Sequence, residues 1–82
     1  MTSLEQQMYI NLINDLRQAI RDMSILLNNI RRYESYITRG LMVNDNITFN
    51  DDLSQMKETL NYKINKIRNE IIPGLYMSLS AK

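Results

Sequence analysis

The 82-residue chain contains neither cysteine nor histidine. It therefore cannot form a disulfide, and it lacks the usual general base and the usual nitrogen and sulfur ligands of zinc and haem. Gly40 and Gly74 are its only glycines, which excludes a glycine-rich phosphate-binding loop. The adjacent Asp51 and Asp52 are typical of a helix N-terminus and not of an acid and base across a cleft. We therefore expect no enzymatic activity, no metal, no cofactor and no small-molecule substrate.

Long apolar segments are absent as well. No run approaches the roughly 20 apolar residues that a membrane-spanning helix needs. Residues 1–7 have neither the basic start nor the apolar run of a secretory signal. We therefore expect no membrane span and a cytoplasmic location. Asparagine and isoleucine are frequent, which is typical of AT-rich genomes and favours a bacterial, phage or viral source.

Charge and size give the next indications. The net charge is only +1, with 44% hydrophobic and 23% charged residues, a composition typical of a globular domain. A net charge so close to zero does not by itself indicate nucleic acid as a partner. A domain of this size without disulfides or metal often depends on a second chain for part of its stability. We therefore treat residues 1–82 as one domain and expect it to form a homodimer.

The first helix is predicted over residues 3–39. Thr2 and Glu5 match a capping box at its start, while Gly40 can adopt the left-handed conformation that ends a helix in a Schellman motif. Apolar residues recur every three or four positions, as in a coiled coil. This apolar seam consists of Tyr9, Leu12, Leu16, Ala19, Met23, Leu26, Ile30, Tyr33 and Ile37.

The second helix is predicted over residues 51–72, after a joint at residues 40–50. Asn50 is a favoured residue type for the N-cap position. Pro73 lacks an N–H group and clashes with the preceding turn of a regular helix, so the helix should end near that residue or kink there. The remaining residues, 73–82, then form an apolar C-terminal tail.

The two helices have unequal lengths and predict an all-α, antiparallel hairpin. At 1.5 Å per residue the first measures about 55 Å and the second about 33 Å. A second apolar row lies beside the seam of the first helix, which makes its apolar stripe wider than one neighbouring helix covers. Dimerisation into a four-helix bundle would bury that row. The residues predicted to mediate self-association are Ile13, Ile20 and Leu27, together with Tyr9, Leu16 and Met23.

The outer face of the first helix is polar. Its candidate residues for binding a partner or nucleic acid are Asn14, Arg17, Gln18, Arg21, Asn28, Arg31 and Arg32. Arg17 and Arg21 have no carboxylate three or four positions away, so they are available to bind phosphates or a partner's carboxylates. Three apolar residues outside the seam, Ile10, Ile25 and Tyr36, are candidates for a secondary contact.

These features predict a non-enzymatic protein–protein interaction module that acts as an assembly subunit, an adaptor or a small inhibitor of a larger complex. One alternative is a small helical-bundle regulator that binds nucleic acid through the arginine and amide residues. A second alternative follows from the layout of two helices joined at Arg39-Gly40-Leu41. This layout resembles the small helical hairpins that bacterial specialised secretion systems export, although the chain lacks the Trp-x-Gly signature of their turn. The resemblance implies a secreted hairpin.

Overall fold

The computed structural model describes residues 2–41 and 47–81. Every element in this part of the chain is helical, and the helices form an antiparallel hairpin, which confirms the predicted all-α class. The Cα atoms span 57 × 15 × 15 Å, with a radius of gyration of 18.0 Å. A compact domain of this length would have a radius of gyration of about 12 Å. The hairpin is therefore a thin rod with two long, accessible sides.

Helix α1 runs from Ser3–Thr38, and its two ends are built as the sequence predicts. At the start, the Thr2 hydroxyl accepts a hydrogen bond of 3.1 Å from the N–H of Glu5. At the end, Gly40 has a φ of 75°, the left-handed region that glycine enters without strain. The N–H of Leu41 then donates to the carbonyl of Tyr36 at 2.9 Å, which completes the Schellman motif.

Helix α2 runs from Ile47–Lys66 and begins earlier than the sequence predicts. Asn50, predicted as the N-cap, lies inside the first turn, so the predicted start at residue 51 is wrong. The sequence offers several cap-forming residue types over residues 44–52, and capping preference alone does not choose among them. Of the predicted joint, residues 42–46 lie outside the described part of the chain.

The chain remains helical beyond Pro73, contrary to the prediction that a separate tail follows it. A π turn over Ile67–Ile71 leads directly into helix α3, which runs from Ile72–Ser80. In this turn the N–H of Ile72 donates to the carbonyl of Ile67, five residues back. The extra residue widens the helix just where a regular turn would bring Pro73 against the carbonyl of Asn69.

The core lies between α1 and the second arm of the hairpin. Ile13, Ile20 and Leu27 are 2%, 9% and 6% exposed and pack with Ile64 and Ile72. The prediction that these three α1 residues are left over for a dimer is therefore wrong, because they are the centre of the contact within one chain. The partly buried residues that surround this core are Leu16, Met23, Leu60, Ile67, Leu75 and Leu79. Of these, Leu16 and Met23 were predicted to mediate self-association.

Candidate interaction surfaces

Two side-chain contacts fix the register of the hairpin. Near the joint, Lys57 Nζ lies 3.0 Å from Glu34 Oε1, and both side chains are about two-thirds buried. This is a charge contact without hydrogen-bond geometry, since Glu34 Oε1 has no hydrogen-bond partner. Towards the other end, Arg17 donates to the hydroxyl of Tyr76 at 2.5 Å. The numbers of facing residues add to 91 at the first contact and 93 at the second, and the extra residue of the π turn between them accounts for one of these two positions.

The Arg17–Tyr76 contact also distinguishes the two long sides of the rod. Arg17 follows Leu16, and Tyr76 follows Leu75, and both leucines pack against the core. Residues that follow such positions therefore share one side, which we call the polar side. Residues that immediately precede the buried residues, or the paired Glu34 and Lys57, share the opposite side. We call this the apolar side, and it consists of Leu12, Ala19, Leu26 and Tyr33 of α1 with Met56, Lys63 and Ile71 of the second arm.

The large apolar residues of the apolar side are only half covered within one chain. Their exposed fractions range from 39% for Ile71 to 52% for Tyr33. Half-exposed large apolar residues along one side of a helical rod are typical of a protein–protein interface. The α1 members were predicted to face the second helix, and Met56 and Ile71 were not predicted as interface residues. The apolar stripe of α1 is indeed wider than its neighbour covers, but the row left over is Leu12, Leu26 and Tyr33.

The apolar side continues towards the start of α1. There, Leu4 and Met8 are 71% and 62% exposed. A shallow depression of about 440 Å³ lies there, lined by Glu5, Met8, Tyr9 and Leu12. Tyr9, predicted as a self-association residue, is thus partly buried and borders this open end.

Charged side chains border the apolar side, two carboxylates on one edge and an ion pair on the other. Asp15 and Asp22 lie on its α1 edge, and Asp22 accepts a hydrogen bond of 2.9 Å from Gln18. On the α2 edge, Lys66 Nζ lies 3.2 Å from Glu70 Oε2 and 5.9 Å from the ring centre of Tyr62. The hydrogen bond and the negative charge of Glu70 raise the pKa of Lys66 above its ordinary value, and the two opposite charges compensate each other on this edge.

The predicted arginine and amide residues are all exposed, but two of the arginines already have partners within the chain. Arg17 contacts Tyr76 through its hydrogen bond and lies 5.5 Å from the centre of that ring. Arg21 donates two hydrogen bonds, of 3.2 and 2.6 Å, to Gln18. No side-chain hydrogen bond or ion pair within the described residues involves Asn14, Asn28, Arg31 or Arg32. Nothing in this arrangement favours the nucleic-acid alternative.

The three residues predicted for a secondary apolar contact do not form one patch. Ile10 and Ile25 are 15 positions apart, which separates them by about 22 Å along α1. Ile10 lies in the row of Arg17, on the polar side. Tyr36 packs edge-on against Tyr33, with ring centres 6.1 Å apart, and so extends the apolar side at the joint end. The prediction of a shared secondary surface is therefore wrong.

Comparison with known proteins gives no family for the chain: no family model matches it, and neither a curated protein nor a solved structure is similar to it. In residues 2–41 and 47–81, no helix is long and apolar enough to cross a membrane. No group of three acidic side chains in the same ranges is placed to hold a metal ion. The most distinctive chemical feature of the described surface is the contrast between its apolar and polar sides.

Proposed function

We propose that the chain is a non-enzymatic protein–protein interaction module that self-associates through its apolar side. In this role it serves as a subunit, an adaptor or a small inhibitor in a larger assembly. The observation that carries the proposal is the row of half-covered large side chains, Leu12, Leu26 and Tyr33, continued by Met56 and Ile71 on the second arm. On the opposite side, polar groups join the two arms instead, through the contact between Arg17 of α1 and Tyr76 of α3.

The length of the apolar side supports this proposal. From Leu12 to Tyr33 it extends over about 32 Å of α1. Helices pack readily along a straight row of side chains spaced by seven residues.

Two adjacent residues of α1 offer a matched test of the apolar side. Leu26 lies on it and is 42% exposed, whereas Ile25 lies on the outer surface and is 59% exposed. We expect Leu26→Gln to weaken self-association about tenfold, because a polar group then has to be buried in the contact. Ile25→Gln removes as much apolar surface elsewhere and should leave association unchanged. The measurement is light scattering on fractions from size-exclusion chromatography, over a range of concentrations.

Circular dichroism of both variants controls for folding, since neither side chain belongs to the buried core. An equal loss of association in the two variants would show that the overall hydrophobicity of the surface, and not the apolar side, drives the contact. Unchanged association in Leu26→Gln would show that the apolar side is not the interface.

A further inference from the structure

The polar side carries three arginines at regular intervals. Arg17 and Arg31 lie on α1, and Arg68 follows Ile67 on the second arm. By the register of the hairpin, Arg68 lies level with Ser24, halfway between the two α1 arginines. Successive arginines are therefore about 10.5 Å apart along the rod and alternate between its two arms. All three side chains are exposed.

An asparagine precedes each of these arginines by three positions. These amide–arginine pairs are Asn14 with Arg17, Asn28 with Arg31, and Asn65 with Arg68. Side chains three positions apart on a helix are neighbours, so each pair offers amide and guanidinium N–H groups at one point of the surface. None of the three asparagine side chains has a hydrogen-bond partner within the described residues. A carboxylate has two acceptor oxygens and can accept from both members of a pair.

The positive charge of the three pairs is not compensated. None of the three guanidinium groups has an ion-pair partner within residues 2–41 and 47–81. Arg17 contacts the neutral hydroxyl and ring of Tyr76, which fix its position and leave its charge unpaired. Arg31 is one turn from Glu34, but that carboxylate is already paired with Lys57. The third arginine has no acidic residue three or four positions away.

The uncompensated charge is confined to a short stretch of the rod. Arg21 does not extend it, because Gln18 accepts its hydrogen bonds and also donates to Asp22, which brings a carboxylate close. Beyond the last pair, towards the joint, Glu58 lies on the α2 edge of the polar side, three positions before Asn61. The three pairs thus extend over about 21 Å of the rod.

This confined charge favours an acidic helix over a nucleic acid as the ligand. Duplex DNA carries a negative charge about every 1.7 Å of its axis, so DNA lying along the rod would also meet the carboxylate of Glu58. A protein helix can place acidic side chains two turns apart with neutral residues between them, and it packs lengthwise along two other helices. We infer that the polar side binds an acidic helix of a partner protein, with one carboxylate at each amide–arginine pair.

A synthetic helix with defined charges tests the inference. The probe is a labelled alanine- and glutamine-based peptide of about three heptads, with one glutamate at the same position of each heptad. Its control has glutamine in place of every glutamate. Fluorescence anisotropy at low salt measures binding to the full chain. The glutamate peptide should bind about tenfold more tightly than its control, and added salt should reduce that difference.

Removal of the three arginines should weaken binding of the glutamate peptide. The triple variant Arg17→Gln with Arg31→Gln and Arg68→Gln should lose about tenfold in affinity, because each pair loses its charged donor. Arg68→Gln alone should lose about twofold. Arg68 has no side-chain hydrogen bond or ion pair within the described residues, so this variant tests the site without disturbing the fold. Circular dichroism checks the folding of both variants.

A second triple variant removes the same charge from outside the polar side. It combines Arg32→Gln, Arg39→Gln and Lys63→Gln, and it should leave the affinity unchanged to within about twofold. Arg32 is a close match, since Asn29 precedes it by three positions as well. Equal losses in the two triple variants would overturn the inference, because net charge alone would then attract the peptide.

Two other results would also overturn it. One is equal binding of the glutamate and glutamine peptides. The other is tighter binding of a single-stranded RNA of the same charge that is lost in the first triple variant, which would assign the pairs to phosphates. Leu26→Gln, on the opposite side of the rod, should leave peptide binding unchanged. The inference and the proposed self-association therefore succeed or fail separately.

Discussion

Ile20 illustrates what a single residue contributes to this rod. Its side chain is 9% exposed and lies in the middle of the core, between Ile13 and Leu27 of its own row and Ile72 of α3. A hairpin of two thin arms has few such positions. Each buried isoleucine or leucine therefore supplies a large share of the apolar burial that holds the arms together.

We predict that Ile20→Ala lowers the free energy of unfolding by about 2–4 kcal/mol, since it removes buried methyl groups and leaves a cavity. Ile25→Ala, five positions further along the same helix, removes the same groups from an exposed site and should cost less than about 0.5 kcal/mol. Urea unfolding followed by far-ultraviolet circular dichroism, at equal protein concentrations, measures both. Similar losses in the two variants would contradict the assignment of Ile20 to the core.

The sequence could not decide which row of α1 becomes the core. Leu12 and Ile13 are adjacent apolar residues of similar size, and so are Leu26 and Leu27. The first member of each pair belongs to one row and the second to the other, and only the position of the second arm decides which row is covered. The width of the apolar stripe, and hence a surplus row, was predictable from spacing alone. The identity of that row depends on tertiary packing, which spacing does not record.

At the scale of elements, the π turn sets the register of the second arm. Ile64 and Ile72 are both buried although eight residues separate them, whereas a regular heptad would bury Ile71. The extra residue turns Ile72 inward and leaves Ile71 on the apolar side. The sequence predicts that the regular helix is interrupted at Pro73. The missing N–H group of proline and its clash with the preceding turn are relieved equally by a helix end, a kink or a widened turn, so the sequence does not choose among these. The ends of α1 were predictable because their capping signals are local.

Deletion of Asn69, an exposed residue of the π turn, tests this role. It should restore a seven-residue spacing between Ile64 and Ile72 and so force a regular turn in front of Pro73. We expect Pro73→Ala to stabilise the deletion variant by about 3 kcal/mol, because proline is then inside a regular helix. In the full-length chain the same substitution should change stability by less than about 1 kcal/mol.

Urea unfolding of the four chains in this cycle gives the coupling between the deletion and the proline. A Pro73→Ala effect of the same size with and without Asn69 would show that the π turn does not accommodate the proline.

At the scale of the whole molecule, the two long sides of the rod differ in chemistry. On the polar side, Arg17 and Tyr76 form a hydrogen bond between the two arms. The apolar side leaves its large residues half exposed. Leu4 and Met8, near the start of α1, are exposed as well. We therefore expect a second chain to cover the apolar side.

The mass of the unmodified protein in solution tests this expectation most directly. Sedimentation equilibrium over a range of micromolar concentrations should give a species of twice the 9.7 kDa chain mass, in equilibrium with the monomer. A well-folded chain that stays at 9.7 kDa throughout that range would contradict the central claim.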